Sequence, residues 1–466
     1  MNDLSAAGVR GSDMPAGANA GGRLTVARRL GYGVGDLGIN FYFGLATAYL
    51  LYFYTDVFGL SAAVAGSVFL VARVIDAAVD PLMGAIADRT RTRAGRFRPW
   101  LLWGAPPLAL LTVALFSSPD LDAEGKALWA YATYIAFGIA YTAVALPYAA
   151  LTPTLTQHHE ERTTLSTVRM GCAFAGFYVI SVATDPLVRL FDSPAQGWQA
   201  VAAGYATIAT LLLVVCYLST REAAVPSSAV QVPLRESLRA VRSNGPLVIV
   251  ILVFMGGLMS FNVRTATAIY YCKYVLGRPD LIATYFAWTM PVMMATLVAV
   301  PWLARRVGKA GAVITGALVT IAGGVGLYLT PVQAVEQALF FCCVMAVGGA
   351  PVAVMGWSMT ADTVDYAELR TGVRADAQTY SIAAFFQQLA AAFAGAGVAA
   401  LLAFFGYVAN EVQTPASLQA ILVMMSLVPC AIMAVVIGAC LFYPLNARRH
   451  AEVTAALHAR RAAHTG

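Results

Sequence analysis

Apolar runs long enough to cross a bilayer recur along almost the whole chain, and that recurrence leaves few architectures open. A membrane-spanning helix needs about 20 predominantly apolar residues. Runs of that kind lie at Tyr32–Val57, Ala62–Ala87, Pro99–Phe116, Ala127–Pro153, Ser166–Ile180 with its flanks, and Ala200–Leu218. A second set follows at Pro246–Tyr274, Ala283–Ala304, Ala310–Leu329, Ala334–Thr360, Tyr380–Phe405 and Ala420–Tyr443. Backbone N–H and C=O groups find no water in hydrocarbon, so such runs close their hydrogen bonds internally as helices. With 59% hydrophobic and 12% charged residues among 466, a soluble globule would lack a polar surface. The expected class is an all-α membrane protein of about twelve helices.

Basic residues set the orientation, because they collect in cytoplasmic loops. Arg23, Arg28 and Arg29 precede the first run; Arg89, Arg91, Arg93, Arg96 and Arg98 follow the second; Arg305, Arg306 and Lys309 follow the eighth. The C-terminal tail adds Arg448, Arg449, Arg460 and Arg461. Alternate loops are poor in base or lean acidic, as at Asp120, Asp122 and Glu124. Both termini are therefore expected in the cytoplasm, and the net charge of +6 calls for no nucleic-acid partner. Residues 1–29 read as a disordered tail without the apolar core of a signal peptide. The seven cysteines show no metal-ligand spacing and read as small packing residues. The histidines, His158, His159, His450, His458 and His464, all lie in loops or the tail, which excludes an intramembrane histidine site.

The longest polar interval, 219–245, divides the runs six and six, giving an N-terminal bundle at 30–218, a C-terminal bundle at 246–443 and a tail at 444–466. Within the interval, Val232–Val241 alternates apolar and charged residues at helical spacing and reads as an interfacial helix. The first run ends Tyr52-Phe53-Tyr54-Thr55-Asp56-Val57-Phe58-Gly59, and the seventh ends Tyr270-Tyr271-Cys272-Lys273-Tyr274-Val275-Leu276-Gly277. Each is followed by a full span and then a basic loop. This agreement favours a parallel repeat of two bundles, with a site at their midplane interface.

Charge inside the second run is the strongest pointer to function. Arg73, Asp76 and Asp80 fall at i, i+3 and i+7, one stripe of a helix. A carboxylate at the centre of an inserted helix costs roughly 2.5–3.5 kcal/mol, so two on one face imply a polar interior. Two acids that close do not both stay charged in a low dielectric without a cation or proton. The competing reading is a structural Arg73–Asp76 pair with Asp80 at a solvated helix end. The basic loop after this helix, Asp88 to Trp100, is at least a topogenic signal; its arginines also suit a gate that binds helix C-termini and holds one conformation shut. Asp36, Arg73, Arg89 and Arg96 are the candidate gating residues.

Other polar residues inside runs are Asn40, Thr142, Arg169, Asn262, Arg264, Gln387 and Gln388. The planar fork of Arg169 suits bidentate binding of sugar hydroxyls or a carboxylate. Its alternative is a structural pair with Asp36. Tyr141, Tyr148 and Trp357 have the rings to stack on a sugar, although rings in spans also serve packing alone.

Five segments carry a resemblance: Tyr32-Gly33-Val34-Gly35-Asp36, Tyr54-Thr55-Asp56-Val57, Ala72 to Pro81, Arg96-Phe97-Arg98-Pro99-Trp100 and Ala361-Asp362-Thr363-Val364-Asp365-Tyr366. Together they resemble the glycoside, pentoside and hexuronide cation symporters, a branch of the major facilitator superfamily, from about Arg29 to Pro444. Leu369 to Arg374 and Gly406 to Pro415 look closer to its glucuronide and pentoside carriers than to the melibiose carrier. The resemblance implies the major facilitator fold, cation coupling at Asp76 and Asp80 with Thr142, and sugar contact by Arg169. Val79 stands where the sodium-using branch has asparagine, which favours a proton over sodium. The galactoside-binding acids of the melibiose carrier correspond here to Asn40 and Ala145, and the eleventh-helix lysine to Gln388. The expected substrate-binding set is Asn40, Arg169, Tyr141, Tyr148, Trp357 and Gln388.

The expected protein is thus a monomeric secondary transporter of the bacterial cytoplasmic membrane, in contact with its lipid and not an enzyme. It imports a sugar or glycoside with a proton or sodium ion, by alternating access and without a cofactor or metal. Two alternatives stand beside it: a carrier of a lysolipid-like amphipathic solute, and a sensor that has kept the fold and lost coupling.

Overall fold

The computed structural model describes residues 24–155, 159–222, 244–372, 376–445, 449 and 452–457. The Val232–Val241 helix expected from the sequence lies outside them, as do the tail up to residue 23, most of the 219–245 interval, the far C-terminus, and His158, His450, His458 and His464.

Twelve long helices run through the described residues. The first six are α1 (Val26–Tyr52), α2 (Ala62–Arg89), α3 (Arg98–Leu115), α4 (Ala123–Leu155), α5 (His159–Val188) and α6 (Pro194–Ser219). After the central interval come α7 (Gly245–Tyr270), α8 (281–307), α9 (309–329), α10 (Val335–Thr371), α11 (Asp376–Phe404) and α12 (Pro415–Leu441). Helices α8 and α9 form a continuous stretch, Leu281–Leu329, broken at Gly308, whose φ of 78° no helical residue adopts. Ten stretches among the described residues are long and apolar enough to cross a membrane. Dividing Leu281–Leu329 at Gly308 and adding the shorter α3, with Pro106 and Pro107 inside it, accounts for the twelve expected. No β-strand forms among the described residues.

Local chemistry sets where these helices start. Thr25, Ser61 and Thr414 accept the backbone N–H of Arg28, Val64 and Ser417 at the first turns of α1, α2 and α12. Proline occupies the first turn of α3, α6, α7 and α12, where its missing N–H costs nothing.

The helices form two bundles of six. In the first, α1 packs on α5 and α6, α2 on α4, and α3 on α4 and α6; in the second, α7 packs on α10 and α12, and α10 and α12 on the Leu281–Leu329 stretch. The bundles meet through α2 against α11, α5 against Leu281–Leu329, and α1 against α7. Small residues allow the closest of these approaches: Gly66 of α2 lies against Ala396 and Ala399 of α11, where a Cβ would stand 2.9 Å from that of Ala399. Loops 90–97 and 305–309 and the start of α1 lie on one face, termed here the basic face.

The sequence repeat is visible in the backbone. Both α1 and α7 pass into a π-helical turn, Phe53–Val57 and Tyr271–Val275. Phe58 N donates to Phe53 O at 2.8 Å, and Leu276 N to Tyr271 O at 3.0 Å. Each turn stops at a glycine with positive φ, 79° at Gly59 and 63° at Gly277.

Candidate functional site

The second helix presents its acids toward α4. Thr142 donates its hydroxyl to Asp80 Oδ1 at 2.9 Å, so these residues, 62 apart in sequence, share one site. Asp76 is met more sparsely: Arg73 Nη1 stands 3.5 Å from its Oδ2, while its Oδ1 is enclosed with no hydrogen-bond partner among the described residues. Gly138 explains how the carboxylate lies so close to α4, since a Cβ there would stand 2.7 Å from Asp76 Oδ1. The Arg73–Asp76 contact that the sequence offered as an alternative is therefore present, but it is long and leaves one oxygen unmet.

A second cluster joins α1, α4 and α5. Arg169 Nε donates to Asp36 Oδ2 at 2.7 Å and Nη1 to Thr152 Oγ1 at 3.1 Å. Its guanidinium lies 4.7 Å from the Tyr148 ring centroid and 5.7 Å from that of Tyr32, a cation–π arrangement. Tyr32 and Tyr148 donate to each other's backbone carbonyls at 3.2 and 2.8 Å. Asn40 donates to Asp36 O at 2.9 Å. In this conformation Arg169 and Asp36 are thus partners. Between the clusters stands Tyr141, within the fields of Asp36, Arg73 and Asp80, at one end of a row of rings formed with Phe137 and Tyr134 along α4.

The two C-terminal members of the expected substrate set lie apart from these. Gln388 is exposed and makes no hydrogen bond among the described residues, although it sits two turns before Gly395, which meets Phe69 of α2. Helices α2 and α11 run antiparallel, so Gln388 stands at about the level of Asp76. Trp357 is 36% exposed on α10 and packs edge-on against Phe254 at 4.7 Å.

On the basic face the loop arginines act largely within the N-terminal bundle. Backbone N–H groups of Arg96, Phe97 and Arg98 all donate to Glu222, at 2.7, 2.7 and 2.8 Å, so a carboxylate caps the start of α3. Arg98 Nη2 donates to Tyr217 O near the end of α6 at 2.7 Å, a bond to a helix C-terminus of the kind expected. Arg96 lies 4.9 Å over the Phe97 ring, and Arg89 is exposed. Arg29 pairs with Glu161 and Lys309 with Asp362, each inside one bundle.

The opposite face carries a network that reasoning from sequence missed. The side chain of Asp56 is fully buried and joins both bundles. Lys273 donates to its Oδ1 at 2.8 Å, Tyr274 donates to the same oxygen, and Tyr407 and Thr55 donate to Oδ2 at 2.7 Å each. Lys273 places its other N–H groups on Tyr52 and Asn410 at 3.2 and 2.8 Å. Asn410 donates in turn to Asp56 O at 2.7 Å, with the left-handed φ of 60° that asparagine tolerates. Burial, and then the neighbouring carboxylate, hold the Tyr407 phenol far above its ordinary range, so it remains a donor. The contacts follow the repeat: Thr55 meets Tyr270 at 2.9 Å as Lys273 meets Tyr52, and Thr55 aligns with Lys273 as Tyr52 aligns with Tyr270. That alignment, with an acid in one copy and a base in the other, was the signal available in the sequence.

Residues 31–447 match the family described as MFS/sugar transport protein. The chain is 34% identical over 445 residues to the uncharacterized symporter YnaJ of Bacillus subtilis, covering 94% of this chain and 96% of that one. It is 35% identical over 406 residues to the isoprimeverose transporter of Lactiplantibacillus pentosus, covering 85% and 84%. It is 32% identical over 448 residues to a putative 2,3-dihydroxypropane-1-sulfonate exporter of Salmonella typhimurium, covering 94% and 97%. Among solved structures, a point mutant of the nucleoside transporter NupG superposes with a TM-score of 0.68 at 10% identity, over 90% of this chain and 100% of that one, a likeness of fold.

Proposed function

This chain belongs to the MFS/sugar transport protein family, and on that premise we propose that it moves a sugar or glycoside together with a proton, coupled at Asp76 and Asp80. The family and its symporter relatives make the chain an integral membrane transporter of the sugar-symporter type, not an enzyme. The proposal adds the ion, the cargo and the residues. One observation carries it: Asp76 Oδ1 is buried and unmet, beside an Asp80 already hydrogen-bonded by Thr142. A proton shared by the pair removes the unfavourable charge, and Val79 supplies no extra oxygen for a sodium ion.

Alternating access follows from the two halves. The Asp56 network closes the face opposite the basic loops, so this conformation is read as inward-facing, with the basic face and both termini in the cytoplasm. Cargo enters between α1, α4 and α5, against Asn40, Tyr141 and Tyr148, with Arg169 exchanging its Asp36 bond for substrate oxygens. Protonation of the acids favours the loaded form that rocks, because a ligand shifts an equilibrium only by its differential affinity for the two states. The relative named an isoprimeverose transporter supports a sugar cargo; the relative named as an exporter makes the direction of flux a matter of the gradients imposed.

Proteoliposomes test the proposal. An imposed proton gradient drives uphill uptake of a labelled xyloside or glucuronide by the natural chain, and Asp80→Asn abolishes accumulation while exchange persists. Undiminished uphill uptake by Asp80→Asn, or accumulation driven by sodium alone, removes the proton assignment.

A further inference from the structure

The C-terminal bundle buries a positive charge that no described residue answers. Arg264 of α7 is 6% exposed, has no hydrogen-bond or ion-pair partner among the described residues, and encloses its Nε without an acceptor. One turn later the hydroxyl of Thr267, a residue with no exposure, is likewise unpartnered. The i, i+3 spacing sets both groups on one face. Arg264 Nη2 points toward α10, 3.6 Å from where a Cβ of Gly349 would stand, so no side chain of Gly349 intervenes between the guanidinium and that helix. Tyr285 of α8, Cys342 of α10 and Cys430 of α12 lie within its field, none of them a carboxylate. Three residues earlier, Phe261 meets Phe177 of α5 at 5.8 Å, so this stretch of α7 lies at the junction of the bundles.

Arg98 at the start of α3 rests on two backbone carbonyls, and three other basic residues have counter-charges: Arg169 has Asp36, Lys273 has Asp56 and Lys309 has Asp362. A buried guanidinium without one is costly in a membrane interior, and an arriving oxyanion relieves that cost with the fork geometry arginine provides. We propose that Arg264 and Thr267 form an anion subsite that takes the acidic group of the cargo, a carboxylate or sulfonate, and so select an acidic sugar derivative over its neutral counterpart. The proposal rests on the transport reading above and narrows its substrate class.

The test compares methyl β-glucuronide with methyl β-glucoside, which differ only in carboxylate against hydroxymethyl, on the purified full-length protein. Binding is read by thermal stabilisation and by counterflow exchange in proteoliposomes, which needs no ion gradient. The natural chain is expected to bind the glucuronide at least about tenfold more tightly, the usual weight of a hydrogen bond to a charged group. Arg264→Gln removes about tenfold or more of glucuronide affinity and leaves the glucoside unchanged; Thr267→Val weakens the glucuronide by about threefold. Equal binding of the two sugars by the natural chain overturns the proposal, as does an equal loss of both in Arg264→Gln. Arg264-dependent stabilisation by inorganic sulfate but not by the glucuronide also overturns it, because the subsite then serves a free ion. If Arg264→Gln does not fold, Arg264→Lys and Thr267→Val decide by the same ratio. Arg264-dependent glucuronide binding without gradient-driven accumulation sinks the coupled-transport reading and leaves the subsite standing. Accumulation of neutral glycosides with no binding of acidic ones does the reverse.

Discussion

Asp56 and Asp76 both lie in the membrane-spanning part of the chain with little exposure, yet the protein treats them in opposite ways. Asp56 receives Lys273, Tyr274, Tyr407 and Thr55, and even its backbone carbonyl is met by Asn410. Asp76 has one arginine at 3.5 Å and one oxygen with no partner among the described residues. A buried carboxylate costs free energy in proportion to the donors it lacks. The first arrangement is therefore a join between bundles, and the second, on the coupling proposed above, is a group held ready for a cation. Saturated hydrogen bonding marks the part that holds a conformation; incomplete bonding marks the part that waits for something to arrive.

The sharpest way to break this contrast is to remove the charge of Asp76. Asp76→Asn is expected to end gradient-driven accumulation while the melting temperature stays level or rises, because an unmet buried charge has gone. A fall in melting temperature with transport intact would make Asp76 a structural residue after all. Asp56→Ala is expected to behave the other way, costing the closed state about 3–5 kcal/mol by leaving Lys273 without its carboxylate. Its readout, in a background without the native cysteines, is labelling by a membrane-impermeant maleimide of a cysteine introduced as Ala399→Cys, which lies between the bundles against Gly66 and is reached as the face opposite the basic loops opens; unchanged labelling removes Asp56 from the seal. Gly138→Ala places a methyl against Asp76 Oδ1 and is expected to cost about 1–3 kcal/mol of overpacking, seen as a lower melting temperature, while the added desolvation moves the pH profile of uptake upward. Gln388→Lys sharpens the comparison from α11, the helix that faces α2. If the ammonium reaches the acids, it favours their ionised form, and the pH profile of uptake moves about one unit lower. An unmoved profile places Gln388 outside the site. The smallest effect is expected for Gly59→Ala, about 1 kcal/mol of stability from forcing a side chain to a φ of 79°.

Helical spacing made the acid pair legible in the sequence, because i and i+4 are neighbours on any helix. The spans were legible for the same reason: length and apolarity are local. What α2 faces was reached only through resemblance, in Thr142, and Gly138 was invisible because its role depends on the absence of an atom near a residue 62 positions away. Arg169 was weighed both as a sugar ligand and as a partner of Asp36; the structure holds the pair at 2.7 Å, and spacing has no means of choosing between two long-range contacts. Asp56 shows the limit most clearly. Its segment and that of Lys273 had been aligned as copies, but the step from similar segments to touching segments needs the pseudo-symmetric placement of the bundles.

The shared carboxylate at the closed face also bears on how tightly the protein keeps the ion gradient it would use. Lys273 commits all three of its protons and Asp56 both of its oxygens to partners drawn from the two halves, so a partial separation strands a buried charge before it wins any water. Such a closure parts in a single event rather than by degrees. On the proton-coupled reading proposed above, such a closure disfavours the half-open states through which protons would leak past an idle carrier.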